Sequence, residues 1–126
     1  MNGTYQKIFL VGRLGDAPIR RYTEDGLAVA NFSIATNRVV KNKNGEKEER
    51  VTWHRITCWN KLAEFASDYL TKGNRVVIEG HMENREWTDG EDMKRSAVEI
   101  IASQLTSLES KPKEQTAQAV QEEAIL

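Results

Sequence analysis

Only one cysteine, Cys58, occurs among the 126 residues, which excludes an internal disulfide and points to a reducing compartment. There are only two prolines, and no apolar run approaches the ~20 residues that a bilayer-spanning helix needs. The opening residues Met1-Asn2-Gly3-Thr4-Tyr5 show neither the charged and apolar regions of a secretory signal nor an Arg-rich amphipathic leader. A cytoplasmic protein without membrane association is the expectation. Histidine is scarce too: His54 and His81 are the two present, and no Cys, His or carboxylate cluster accompanies them at ligand spacing. Neither a metal nor another cofactor is therefore expected. Missing as well is any excess of one charge, since the formal net charge is -1. Residues 1–108 carry 16 Lys and Arg against 15 Asp and Glu, and residues 109–126 carry 2 against 4. Binding to an anionic partner then depends on segregating the basic groups onto one face.

What the chain does contain is short β-rich runs separated by turn residues. Tyr5 to Leu14 reads as a first strand, with Gly12 and Gly15 where a barrel strand bends. Asp16-Ala17-Pro18 interrupts it, Ile19 to Tyr22 continues it, and Thr23-Glu24-Asp25-Gly26 supplies a turn. Leu27 to Val40 is a long second strand, and Lys41 to Glu49 a polar loop containing Asn44-Gly45. Arg50 to Trp59 is the third. The period then changes: Leu62, Phe65, Ala66, Tyr69 and Leu70 recur at helical spacing, with Asn60 as N-cap and Gly73 as C-terminal stop. Asn74 to Trp87, kinked at Gly80, and Met93 to Leu105, after the Asp89-Gly90 turn, are strands four and five. Three strands, a helix and two more strands is the order of a five-stranded OB-fold Greek-key barrel. Residues 1–108 form that domain. Residues 109–126 lack aromatics, turn to Lys, Pro, Gln, Glu and Ala, and are expected to be a short disordered tail.

The third strand carries the chemistry. Side chains alternate across a strand, so Val51, Trp53, Arg55, Thr57 and Trp59 share one face, and Thr52, His54, Ile56 and Cys58 the other. Two indoles alone suit a core as well as a binding surface. A guanidinium between them argues against burial, because an unpaired buried charge is very costly. Flat π-faces at strand spacing, flanked by cations, are what unpaired bases and their phosphates require. Lys43 in the hairpin, Lys61 and Lys72 at the helix ends, and Arg85 beside Trp87 can extend that surface.

The chain resembles the bacterial-type single-stranded DNA-binding protein family. The resemblance runs through Ile8-Phe9-Leu10-Val11-Gly12-Arg13-Leu14-Gly15, Val29-Ala30-Asn31-Phe32-Ser33-Ile34-Ala35-Thr36 and Trp53-His54-Arg55. It continues through Lys61-Leu62-Ala63-Glu64, Tyr69-Leu70-Thr71-Lys72-Gly73, Val77-Ile78-Glu79-Gly80 and Trp87-Thr88-Asp89, in order over residues 5–108. It implies a homotetramer that wraps single-stranded DNA without sequence preference during DNA replication, recombination and repair. Carried over residue by residue, the stacking aromatics fall on Trp53, Trp59 and Trp87; the candidates for phosphate contact, read from the basic groups interleaved with them, are Lys43, Arg55, Lys61, Lys72 and Arg85. Lys7 and Glu79 are candidates for a pairing across a strand-one dimer interface, and the resemblance implies that His54 packs at a subunit boundary. Trp59 stands where relatives often carry Phe. Val40 stands where many carry Trp, and a branched aliphatic cannot stack, so one platform position is weakened. Glu86 occupies a position where some relatives carry a basic residue. The ending Gln121-Glu122-Glu123-Ala124-Ile125-Leu126 echoes only faintly the acidic, apolar-tipped tails through which relatives recruit replication and repair partners, so poor recruitment is expected.

Two rival classes weigh less. A nuclease on this barrel needs clustered carboxylates, whereas Asp16, Glu24, Asp25, Asp89, Glu91 and Asp92 all fall in turns, with no nucleophile–base pair. No enzymatic activity is expected. A protein-binding adaptor would lack exposed aromatics on strand three.

Overall fold

Apolar residues at alternate positions of five chain segments need a shared interior, and a closed barrel supplies one without leaving both sheet edges open. The computed structural model describes residues 3–109. Its elements are β1 (Ile8–Leu14), β2 (Ile19–Tyr22), β3 (Ala28–Lys41), β4 (Lys47–Trp59), α1 (Lys61–Tyr69), β5 (Arg75–Thr88) and β6 (Lys94–Ser107). They form one sheet in the order β1-β5-β6-β4-β3-β2, closed by a β1–β3 pairing. β1 and β2 act as one bent strand. β1 runs along β5 from Ile8 to Arg13 and meets β3 at Arg13 and Leu14, after which β2 follows β3 antiparallel. The result is the expected five-stranded OB barrel. Gly12 permits that crossing, since a Cβ there would stand 2.5 Å from the carbonyl oxygen of Ala35.

Inside the barrel lie Leu14, Ala30, Phe32, Ile34, Ile56, Cys58, Val76, Ile78, Ile100, Ala102 and Leu105. From α1, Leu62, Ala63, Phe65 and Ala66 are buried in the same core. Cys58 is fully enclosed, and burial pushes its thiol up to about 12, so it stays protonated at neutral pH. The kink expected at Gly80 is a bulge: the β5–β6 register shifts between Glu79 and Gly80, and Ser103 Oγ donates to the Glu79 carbonyl at 3.1 Å.

Local chemistry moved two boundaries and changed how one cap is made. Asn42 Oδ1 accepts from the Asn44 and Glu46 amides at 2.9 and 3.0 Å, closing the hairpin early. Strand β4 therefore begins at Lys47 rather than Arg50, with Lys41, Val40 and Val39 paired to Lys47, Glu48 and Glu49. Asn60 does occupy the N-cap of α1, but its side chain makes no cap bond. Its φ of 57° places it in the left-handed region while its amide donates to the Ala28 carbonyl. Nor does Gly73 end the helix. Leu70, turned extended into the core, is the C-cap, and Gly73 sits in the following turn, donating to the Leu14 carbonyl at 2.8 Å. At the far end Glu109 is tied to the barrel: its Oε1 accepts from the Arg75 amide at 2.7 Å and stands 3.9 Å from Arg13 Nη1. The remainder of the expected disordered tail, residues 110–126, lies outside the described residues. Among the described residues no helix is long and apolar enough to cross a membrane.

Candidate nucleic-acid interface

Strand alternation in β4 puts Val51, Trp53, Arg55 and Trp59 on the outside, with Trp53 60% and Trp59 38% exposed. Six residue steps of extended chain place the Cα atoms of Trp53 and Trp59 about 20 Å apart. The Trp53 ring lies on Gly15, where an added Cβ would come within 2.4 Å of its Cζ3. Thr57 belongs to the same row yet is buried, and hydrogen bonds to Asn31 and Glu99 satisfy its hydroxyl there. On the opposite face Ile56 and Cys58 enter the core, whereas Thr52, nearer the hairpin end, is exposed.

Three grooves continue the surface away from β4. The first, about 370 Å³, lies beside Trp59 between Arg21, Tyr22, Asn31, Arg85 and Glu99. A second, about 270 Å³, shares Arg85 and Glu99 and adds Arg55 and Trp87. The third, about 490 Å³, runs from Trp87 along Lys94, Arg95 and Ser96. Trp87 and Arg85 are two apart in β5 and so face the same way, with the guanidinium carbon 5.6 Å from the ring centroid, a cation–π distance. Across the hairpin Trp87 pairs with Arg95, whose Nε donates to Asp89 Oδ2 at 2.8 Å. That bond, helped by the Met93 and Glu91 amides, holds the Asp89 carboxyl below its usual range. The hairpin turn is thus locked with its aromatic and basic groups in place.

Of the residues expected in the site, Trp59, Trp87, Arg55 and Arg85 come together around these grooves. Trp53 extends their row along β4. Lys43 sits at the exposed β3–β4 turn, Lys61 opens α1 and Lys72 follows it; none of the three lines these grooves. Lys7 and Glu79 form a pair within the chain, Nζ to Oε1 3.0 Å, and this bond raises the lysine pKa above its ordinary value. His54 is half-buried, its Nε2 2.9 Å from Thr36 Oγ1, and burial lowers its pKa. Arg21, Tyr22, Asn31 and Glu99 escape a reading of the sequence. The available signal was the polar Asn31 amid the buried Ala28-Val29-Ala30 and Phe32. No group of three or more His, Cys, Asp or Glu able to hold a metal occurs among the described residues.

Fold and surface together define an OB barrel whose outer wall alternates indoles with guanidinium groups. Residues 5–108 match the model of the "single-strand binding protein family", and the chain belongs to that family. It is 42% identical over 106 residues to single-stranded DNA-binding protein 1 of Chlorobaculum tepidum, covering 83% of this chain and 65% of that protein. It is also 42% identical over 102 residues to the single-stranded DNA-binding protein of Neisseria meningitidis serogroup A, covering 81% and 59%. The matched stretch thus spans roughly three fifths of those relatives' lengths. Among solved structures, an SSB from Plasmodium falciparum in complex with single-stranded DNA superposes with a TM-score of 0.77 at 33% identity. That match covers 86% of this chain and all of the other. A deletion mutant of the single-stranded DNA-binding protein of Thermus aquaticus gives 0.73 at 31%, covering 83% of this chain and 51% of the other.

Proposed function

We propose that this chain binds single-stranded DNA without sequence preference and protects strands exposed during DNA replication, recombination and repair. The observation that carries the reading is the exposed row Trp53, Arg55, Trp59 on β4, continued by Arg85 and Trp87. Bases stack on the three indoles; Arg55, Arg85, Lys43, Lys61 and Lys72 meet phosphates. The names of the relatives and the family match support the same ligand. The protein does not catalyse a reaction on the strand in this reading; it holds it.

Intrinsic fluorescence tests this directly. Stacking on exposed indoles is expected to quench emission saturably as poly(dT) is added, and a duplex of equal length is expected to quench little. Each phosphate contact on a single strand contributes about 0.7 to the slope of log K against log salt. Replacing Lys43, Lys61, Lys72 or Arg85 with Ala is therefore expected to lower the slope by about that amount and leave base preference unchanged. An affinity independent of salt contradicts the phosphate assignment, and unchanged emission contradicts the ligand.

The working unit in this proposal is a homotetramer in the cytoplasm. Its support is the family match together with Tyr5, Phe9 and Val11, which stand exposed on and beside β1 next to the Lys7–Glu79 pair and give β1 an apolar outer side for a partner copy. Sedimentation at micromolar concentration is expected to give four times the 14.3 kDa chain mass. A monomer mass contradicts it. His54→Tyr is expected to weaken assembly at high dilution.

A further inference from the structure

A line of hydrogen bonds crosses four neighbouring strands on the floor of the groove beside Trp59. Arg21 Nη2 of β2 donates to Asn31 Oδ1 of β3 at 2.8 Å, and Asn31 Nδ2 donates to Thr57 Oγ1 of β4 at 2.9 Å. The Thr57 hydroxyl then donates to Glu99 Oε2 of β6 at 2.8 Å. Its direction is forced. Arginine has only donors, so the Asn31 amide must turn its oxygen to β2 and its nitrogen to β4. Having accepted from Asn31, the threonine gives its one proton to the carboxylate. The groove therefore has a preset donor at the Arg21 end and a preset acceptor at the Glu99 end, with the Trp59 indole between the strands that carry them.

A half-buried carboxylate is an odd lining for a groove that meets a polyanion, because it repels phosphate. What it offers a nucleic acid is an acceptor. Among the described residues its side chain bonds Thr57 alone, through Oε2, which leaves Oε1 for a ligand. A base stacked on Trp59 presents its edge to the groove. Cytosine, adenine and guanine carry an exocyclic amine that a Glu can accept from. Thymine turns carbonyl oxygens to either side of its single N–H, and these face the carboxylate unfavourably.

We propose that the groove beside Trp59 is a base-edge subsite, in which Glu99 Oε1 accepts a hydrogen bond from the exocyclic amine of the stacked base and so favours amino-bearing bases over thymine. It rests on the single-strand reading above and refines it at one nucleotide per domain, so long mixed strands still bind whatever their sequence. Cytosine and thymine are the informative pair, being alike in size and ring.

The test compares oligo(dC) with oligo(dT) of equal length, for the wild type, Glu99→Gln and Glu99→Ala, with thermal melts to verify folding. The dC-to-dT affinity ratio is expected to fall about tenfold in Glu99→Ala, the loss of one hydrogen bond to a charged acceptor. In Glu99→Gln it falls less, because the amide oxygen still accepts. Loss of the repulsive charge raises both affinities equally and cancels from the ratio. A probe independent of any substitution is a strand of N4,N4-dimethylcytosine, which keeps the ring and lacks the amine protons. The wild type is expected to bind it more weakly than oligo(dC) by a similar factor. Binding to all strands with an unchanged ratio, or equal affinity for the dimethylated strand, overturns the subsite alone. Failure of the wild type to bind any strand overturns the single-strand reading, and the subsite with it.

Discussion

Trp53→Ala is expected to weaken poly(dT) binding at least tenfold. Base–aromatic stacking is typically worth about 1–3 kcal/mol per base, and about 1.4 kcal/mol is a factor of ten. Trp53 is the most exposed of the three indoles, at 60%, so little of its surface supports the fold and its loss is expected to leave the melting temperature nearly unchanged. Trp53→Phe keeps a π-face and is expected to recover most of the affinity. Gly15→Ala supplies a variant that moves the ring without deleting it. The new Cβ would meet Cζ3 at 2.4 Å and Cη2 at 2.8 Å, and an exposed ring yields by swinging aside. Its expected affinity lies between those of the wild type and Trp53→Ala, with tryptophan emission retained. Wild-type affinity in Trp53→Ala, measured away from stoichiometric conditions, removes Trp53 from the interface.

Gly80→Ala is expected to be the most damaging small substitution for stability. A Cβ at this position would stand 2.0 Å from the Ile101 carbonyl oxygen and 2.9 Å from its carbon. Both are backbone atoms of the adjoining strand and cannot step aside as a side chain can. Gly80 also pairs with Ile8 on its other side, so moving it disturbs β1 and β6 together. Overpacking of this kind costs roughly 3 kcal/mol at the upper end of its usual range, and in a domain of about 100 residues that lowers Tm by roughly 12–24 °C. Gly90→Ala is the control: nothing lies within 4 Å of its Cβ, and its expected effect is small. A melting temperature for Gly80→Ala within a few degrees of the wild type contradicts this account of the bulge.

The features legible in the sequence were those with a short period. Alternation along β4 identified the Trp53–Trp59 row, and helical spacing from Leu62 to Leu70 identified α1 and its buried side. Misplaced boundaries arose where one side chain or one burial event overrode the local signal. Asn42 closed the hairpin so that β4 begins at Lys47, three residues before the third strand was expected to begin at Arg50, and Leu70 left the helix for the core ahead of Gly73. The Arg21–Asn31–Thr57–Glu99 line was out of reach for a different reason. Asn31 and Thr57 are 26 residues apart and Thr57 and Glu99 are 42 apart, so their meeting depends on strand register across the whole barrel. No local pattern carries that.

The two seams that complete the barrel are short: β1 meets β3 only at Arg13 and Leu14, and β4 meets β6 only through Ile56–Ile100 and Thr57–Ile101. The β3–β4 and β5–β6 ribbons, by contrast, each form along thirteen register pairs between sequence neighbours. Ribbon zipping starts from tight turns and needs little chain search, whereas joining Ile56 to Ile100 must close a loop that contains the helix. Contacts so distant in sequence are slow to form. Folding is therefore expected to zip the two ribbons early and to form the β1–β5, β1–β3 and β4–β6 pairings late, and the Trp59 groove, lined from β2, β3, β4, β5 and β6, does not exist until those pairings close the ring.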